Sequence, residues 1–171
     1  MTDILTREEA YEANGIAGWQ ALAQGSPSTY ATGKFRNAGA GNCVRTWGLS
    51  EGGLPMGATG YMRIDTTSAT NVDNTIAQDA VPLLTGETYT IGAFVRGKGY
   101  FTCGPTQNNY ERSARVYVDH AAWRFYSGEF TAASNRQAMY WRNETIATDE
   151  YAGALEIAAP LLVAGGGVSD D

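Results

Sequence analysis

Basic charge is scarce in this sequence. Lys34 and Lys98 are its only lysines, the arginines are scattered singly, and the formal net charge is −6 with a pI near 4.7. Neutralising a phosphate backbone needs a clustered cationic surface, so nucleic acid is excluded as a partner. Histidine is scarcer still. His120 follows Asp119 in what reads as a turn, and no Gly-x-Ser-x-Gly elbow accompanies it, so Ser-His-Asp chemistry has no framework. The two cysteines, Cys43 and Cys103, stand far apart and outside any CxxC or Cys/His cluster. That spacing gives zinc no site, and two reduced, partly buried thiols are favoured over a disulfide. No apolar run reaches the roughly 18 residues that a membrane helix needs. Met1-Thr2-Asp3 opens without a basic region or a following apolar run, so no signal peptide is read and a soluble protein is expected.

Catalytic patterns are missing as well. Glu87, Asp119, Glu129 and Glu156 lie on or beside strand-like segments but form no paired motif of the kind a glycosidase uses. Glu144, Asp149 and Glu150 read as a solvated acidic loop. Gly39-Ala40-Gly41-Asn42 lacks the lysine and following helix of a phosphate cradle, and Gly165-Gly166-Gly167 sits at the end of the sequence. Asp65-Thr66-Thr67 lacks the alternating acids of an EF-hand loop. Asn143-Glu144-Thr145 is formally a glycosylation sequon, read as fortuitous. No catalytic residue, metal or cofactor is expected.

Glycine and aromatics are abundant. There are 21 Gly, 10 Tyr and 4 Trp among 171 residues, a length that fits one domain. Abundant glycine with aromatic and β-branched runs points to turns and strands. One helix is signalled: Thr6 followed by Glu9 is an S/T-x-x-E capping box, and Asn14-Gly15 is a stop, which predicts a helix near 7–14. So short a helix must pack on something, either the body of the protein or a neighbouring subunit.

Strand-like pieces follow at Thr29–Phe35, Val44–Leu49, Ala58–Asp65, Thr88–Arg96, Ala114–Asp119, Trp123–Phe130, Ala138–Asn143 and Leu155–Val163. Glu51–Pro55 reads as a loop and Thr66–Asn74 as a polar turn. In Thr88–Arg96, Tyr89, Ile91, Ala93 and Val95 share one side. Trp123 and Phe130 are expected to anchor the core. No helix-length segment separates the strands, which excludes a parallel βαβ sheet and leaves a sandwich or barrel.

The second half carries a more specific pattern. Gln78 precedes Leu83-Leu84-Thr85-Gly86-Glu87-Thr88-Tyr89-Thr90; then come Trp123-Arg124-Phe125-Tyr126-Ser127-Gly128-Glu129-Phe130-Thr131 and a closing Leu155-Glu156-Ile157-Ala158-Ala159-Pro160-Leu161-Leu162. With Gly57–Ile64 ahead of them, these motifs span roughly 57–163. They resemble the carbohydrate-binding-module-like jelly rolls found beside glycosidase domains and in bacteriophage tail-fibre, head-fibre and other virion proteins. The resemblance implies an all-β fold, an antiparallel jelly-roll β-sandwich with a short N-terminal helix. Many such modules place an Asp in the last strand to hold calcium; only Glu156 could serve here.

On that basis residues 1–56 are read as an N-terminal helix and Gly-rich attachment segment with the first strands, and 57–171 as the jelly-roll core. Leu5, Tyr11, Ile16 and Trp19 are the expected assembly interface, with Trp47 as a further candidate anchor. Phe94, Arg96, Arg115, Tyr117, Tyr140, Trp141 and Arg142 are the candidate sugar-binding residues, on strands that could share one concave sheet. The implied function is a non-enzymatic virion subunit (capsid decoration, head-fibre or tail-associated), self-associating or bound to other virion proteins and located in the virion. The alternative is a solitary carbohydrate-binding module or lectin for surface or polysaccharide glycans.

Overall fold

The capping signal at Thr6 starts the first helix. The Thr6 hydroxyl accepts from the Glu9 amide at 3.1 Å, and the Glu9 carboxylate accepts from the Thr6 amide at 3.0 Å, which opens α1 (Arg7–Glu12). Asn14 then fixes the exit. Its side-chain oxygen accepts from the Ile16 and Leu162 amides, and its amide group donates to the Pro160 carbonyl. The helix is thus stitched to the last strand of its own chain.

The computed structural model describes residues 4–39, 43–67 and 74–169. Residues 40–42 of the Gly39–Asn42 stretch, 68–73 of the Thr66–Asn74 turn and the opening Met1–Asp3 lie outside the described residues. The strands are β1 (Arg36–Ala38), β2 (Val44–Leu49), β3 (Tyr61–Asp65), β4 (Thr75–Pro82), β5 (Thr88–Pro105), β6 (Ala114–Thr131), β7 (Arg136–Asn143) and β8 (Ala154–Ala164). They pair antiparallel in the order β1-β4-β7-β5-β8-β3-β2, with β6 along β5.

Two layers arise because β5 changes partner midway. Its Tyr89–Gly97 half pairs with β8, its Phe101–Pro105 half pairs with β7, and β6 follows it throughout. The ladder shifts register between Val95 and Gly97, where Gly97 adopts φ 109°. A Cβ on Gly97 would collide with the Ala154 carbonyl oxygen, so only glycine fits this bend. Gly97-Lys98-Gly99 is therefore a bend inside one long strand, where the sequence suggested an end at Arg96. Likewise Ala114–Asp119 and Trp123–Phe130 belong to one strand, and His120 lies on it. The His120 ring bonds the Ala122 carbonyl and the Tyr126 hydroxyl, both at 2.8 Å.

Ile16, Phe35, Met62, Ile91, Val95, Phe101, Val118, Met139, Trp141 and Ile157 form the main core. A second cluster covers the outer face of the β5–β8–β3 layer, where Phe94, Ala158 and Leu161 meet Ala10, Tyr11 and Leu54. With both faces covered, β5 and β8 are buried along nearly their whole length in that layer, and the in–out alternation in exposure is lost.

That second cluster corrects the attachment reading. Tyr11 and Ile16 are buried within a single chain; the Tyr11 hydroxyl donates to the Ala159 carbonyl, and its ring meets Trp19 edge-on at 5.0 Å. Leu5, half-buried, bonds through its amide to the Gly167 carbonyl. Trp19 is only partly buried against the same cluster, and Ile4 stays 67% exposed. The strands β1 and β2, also ahead of residue 57, stand at the two ends of the strand order. Phe130 is buried against Tyr89, whereas Trp123 is only half-buried, on the outer face beside Tyr61 and Arg96.

Candidate functional site

Register places the site. Thr102 on β5 is paired with Arg115 on β6 and with Arg142 on β7, Arg142 is paired with Thr75 on β4, and Tyr100 is paired with Tyr117. Side chains alternate along a strand, so Tyr100, Thr102, Arg115, Tyr117, Tyr140 and Arg142 share the outer face of this layer. The intervening Phe101, Cys103, Val116, Val118, Met139 and Trp141 point into the core.

Two loops complete the face. In the turn after β5, Asn108, Asn109 and Tyr110 take successive left-handed φ values of 52°, 58° and 62°. Such a conformation costs on the order of 1–3 kcal/mol for a bulky residue. Gln107 holds the turn: its amide donates to the Gln137 side chain, its Nε2 donates to the Thr131 carbonyl, and its Oε1 accepts from the Ala133 amide. The turn lays Tyr110 edge-on against Tyr140 at 5.2 Å and delivers Arg112 to the face. The loop after β7 supplies Glu144 and Tyr151. The Glu144 amide donates to the Tyr100 carbonyl, and the Tyr151 ring meets Tyr100 and Tyr117 at 4.8 and 4.6 Å.

Glu144 is the electrostatic hub. Its side chain is 6% exposed and accepts from Arg112 Nε at 2.7 Å, Arg115 Nε at 3.0 Å and Arg142 Nη1 at 3.2 Å. Arg142 is buried, donates from Nε to the Thr75 hydroxyl at 2.7 Å, and lies 4.9 Å from the centres of both the Tyr110 and Tyr140 rings. Arg115 lies 4.2 Å from the centre of the Tyr100 ring. Tyr117, 37% exposed, is the outermost ring of the described tyrosine trio and donates to Asp119 at 3.2 Å. Desolvation, then the Asp119 bond, pushes the Tyr117 phenol up; burial does the same to Tyr140. Hydrogen bonds to Glu150 and Tyr100 push Tyr151 up to about 12. These three phenols are neutral O–H groups at physiological pH.

Of the expected sugar-binding residues, Arg115, Tyr117, Tyr140 and Arg142 meet here. Tyr140 is 0% and Arg142 5% exposed, so these two support the face from beneath, and of the four only Arg115 and Tyr117 are open to a ligand. Trp141 does not join them: it is 0% exposed in the core, its indole N–H donates to the Gly92 carbonyl at 2.9 Å, and it offers no face to a ligand. Phe94 and Arg96 are on the other layer. Phe94 is buried under α1, between Tyr11 and Phe125. Arg96 lies over Trp123 and is paired with Glu51 and Glu156. Tyr100, Tyr110, Arg112, Glu144 and Tyr151 belong to the face without having been read from the sequence. Glu144, read there as part of a solvated loop, is in fact nearly enclosed.

Asn143 is buried and donates to the Ile64 carbonyl, so the sequon presents no accessible acceptor. The two carboxylate oxygens of Glu156 are occupied by Arg96 and Arg63, at 2.7 Å each, which leaves it ill placed to hold calcium. Cys43 and Cys103 are unpaired thiols.

No family model matches the chain, and no curated protein matches it. Solved structures do match in shape. A CBM4 carbohydrate-binding module aligns over 88% of this chain and 99% of its own, at 13% identity and a TM-score of 0.55. The CBM22-1–GH10 modules of a Clostridium thermocellum xylanase, complexed with xylohexaose, align over 73% of this chain at 14% identity and a TM-score of 0.54. The enzymatically active domain of tailspike protein 4 of Bacteriophage CBA120 aligns over 91% at 8% identity and a TM-score of 0.54. This chain spans only 25% and 22% of those two longer chains. At such identities the likeness is one of architecture, and the architecture is the antiparallel jelly-roll β-sandwich of carbohydrate-binding modules.

Proposed function

We propose that this chain is a non-catalytic carbohydrate-binding module that holds glycans on the tyrosine- and arginine-rich face of the β4–β7–β5–β6 layer. The observation that carries this reading is the exposed Tyr117 ring, flanked on one strand face by Arg115 and Asp119 and buttressed by Tyr100 and Tyr151. A pyranose presents C–H groups on one face and hydroxyls around its rim. A fixed aromatic ring buries the first, and planar guanidinium and carboxylate groups bond the second. Binding without turnover fits the two carboxylates nearest Tyr117 and the arginines: Glu144 is saturated by three arginines, and Asp119 accepts from Tyr117.

Tyr117→Ala is expected to weaken glycan binding about tenfold or more while the melting temperature barely moves, because the ring stands on the surface. A broad glycan array followed by titration calorimetry checks it. An intact domain that binds nothing on the array would overturn the reading.

A second reading, a subunit of a bacteriophage particle, draws on the tailspike likeness and would turn the same face toward host glycans. Tyr11 and Ile16, two of the four residues expected to attach it, are buried in the chain's own core. Light scattering separates the two, with a monomer expected for a free-standing module and a stable oligomer for a particle subunit.

A further inference from the structure

We infer that the glycan this face selects is acidic, a polysaccharide of uronic acids whose carboxylate is gripped by Arg112 and Arg115. The inference rests on the glycan-binding reading and specifies its ligand class.

The arginines are arranged as a clamp. Arg112 and Arg115 each use Nε to bond Glu144, one on each carboxylate oxygen. A guanidinium carries five N–H donors in a rigid fork, so an Nε bond leaves the four Nη donors of each directed elsewhere. Both side chains are about half exposed, 49% and 47%, which keeps those donors open to solvent. Glu144, by contrast, is enclosed. It works as a staple that fixes two guanidiniums side by side, and fixing them in advance lowers the entropy lost when an anion arrives. Arg142 adds a third positive charge behind them, itself buried between two tyrosine rings. Three guanidiniums share one enclosed carboxylate, so the Arg112–Arg115 end of the face is cationic, while Asp119 and Glu150 place negative charge beside Tyr117 and Tyr151.

The tyrosines argue in the same direction. Tyr100, Tyr110 and Tyr140 already carry guanidinium groups over their rings. They do not form the bare aromatic strip that a long neutral chain would stack on, which leaves Tyr117 as the ring open to one sugar. Along β6 the outer face reads Arg115, Tyr117, Asp119, with successive members about 6.6 Å apart at the rise of a strand. A uronic acid ring laid on Tyr117 fits this order, with its carboxylate toward Arg115 and its hydroxyls donating to Asp119. Planar, two-point pairing of carboxylate with guanidinium supplies discrimination that a hydroxymethyl group cannot match. The phenols of Tyr117 and Tyr151 stay protonated and add no repelling charge.

The experiment is titration calorimetry of the full chain with polygalacturonate and with neutral xylan. Polygalacturonate is expected to bind at least about tenfold tighter, the size of one hydrogen bond to a charged group. Arg115→Gln and Arg112→Gln are each expected to lower polygalacturonate affinity about tenfold or more and to weaken xylan far less, which erases the preference. Arg124→Gln, an exposed arginine outside the face, is expected to change neither; circular dichroism confirms that each variant is folded. Equal affinity for both polymers, or equal weakening of both by Arg115→Gln, overturns the acidic ligand while the glycan-binding reading stands. Failure of both polymers and of every glycan on the array overturns the two together.

Discussion

Deletion of residues 1–25 is expected to yield no folded protein. Tyr11, Ile16 and Leu22 are buried within the chain, and each contributes roughly 1.5–3 kcal/mol by burial. Together they match a large part of the 5–15 kcal/mol that holds a typical domain folded. Losing them also uncovers Phe94, Ala158, Leu161 and Val163, which α1 and its flanks now shield from water. Polar contacts go with them. The Gly15 amide donates to the Leu162 carbonyl at 2.6 Å, and the Gln78 side chain donates to the Ala17 carbonyl at 2.7 Å from the buried interior. Without Ala17 the Gln78 amide group loses its partner, at a further cost of about 1–3 kcal/mol. Expression yield and far-ultraviolet circular dichroism read the result. A soluble, sheet-rich deletion product would place the segment outside the fold and restore its reading as an attachment device.

Trp141→Ala is expected to destabilise the domain by about 4 kcal/mol. Truncating a buried Trp leaves a cavity that the neighbouring Phe35 ring and the β5 strand at Cys103 cannot close, typically at about 3–5 kcal/mol. The Gly92 carbonyl also loses its indole donor. Urea unfolding should show a large drop in midpoint with little change in slope. Trp141→Phe, which keeps most of the volume, should recover much of the loss. Any fall in glycan binding by Trp141→Ala should then track the folded fraction, unlike the fall produced by Tyr117→Ala. A Trp141→Ala protein of unchanged stability that has lost its ligand would contradict the core position.

The contrast between Tyr140 and Trp141 shows what the sequence could and could not yield. Neighbours on a strand face opposite ways, so strict alternation alone says that the two cannot both reach a ligand. The alternation of Ala114–Asp119 did place Arg115 and Tyr117 on one face and Val116 and Val118 on the other, as the structure has it. The capping box at Thr6 was legible because its four residues are contiguous. The β4 strand was not, since Ala80 with φ 57° and a register shift between Gln78 and Val81 break its alternation, and Pro82 suggests a turn.

Phe94 and Arg96 have the parity of the tyrosine–arginine face but belong to the other layer, because the bend at Gly97 turns β5 from one layer into the next. Close approach of Ala154, more than fifty residues away, reserves that position for glycine, and no local pattern reveals it. The same holds for the hub. Arg112, Arg115 and Arg142 converge on Glu144 only through the β5–β6 hairpin register and the left-handed turn at 108–110. Read singly, they looked like dispersed surface charges.

Because β5 and β6 run unbroken through both layers, the sandwich has no seam along which one sheet could open while the other held. Its two halves share backbone as well as side chains, so they melt as one cooperative unit. A sugar that settles on the outer face of one layer therefore suppresses opening of β8 and β3 in the other, which it never touches, by mass action on the shared unfolding equilibrium. On the proposed reading, a bound glycan would act on this chain as a rivet through two plates.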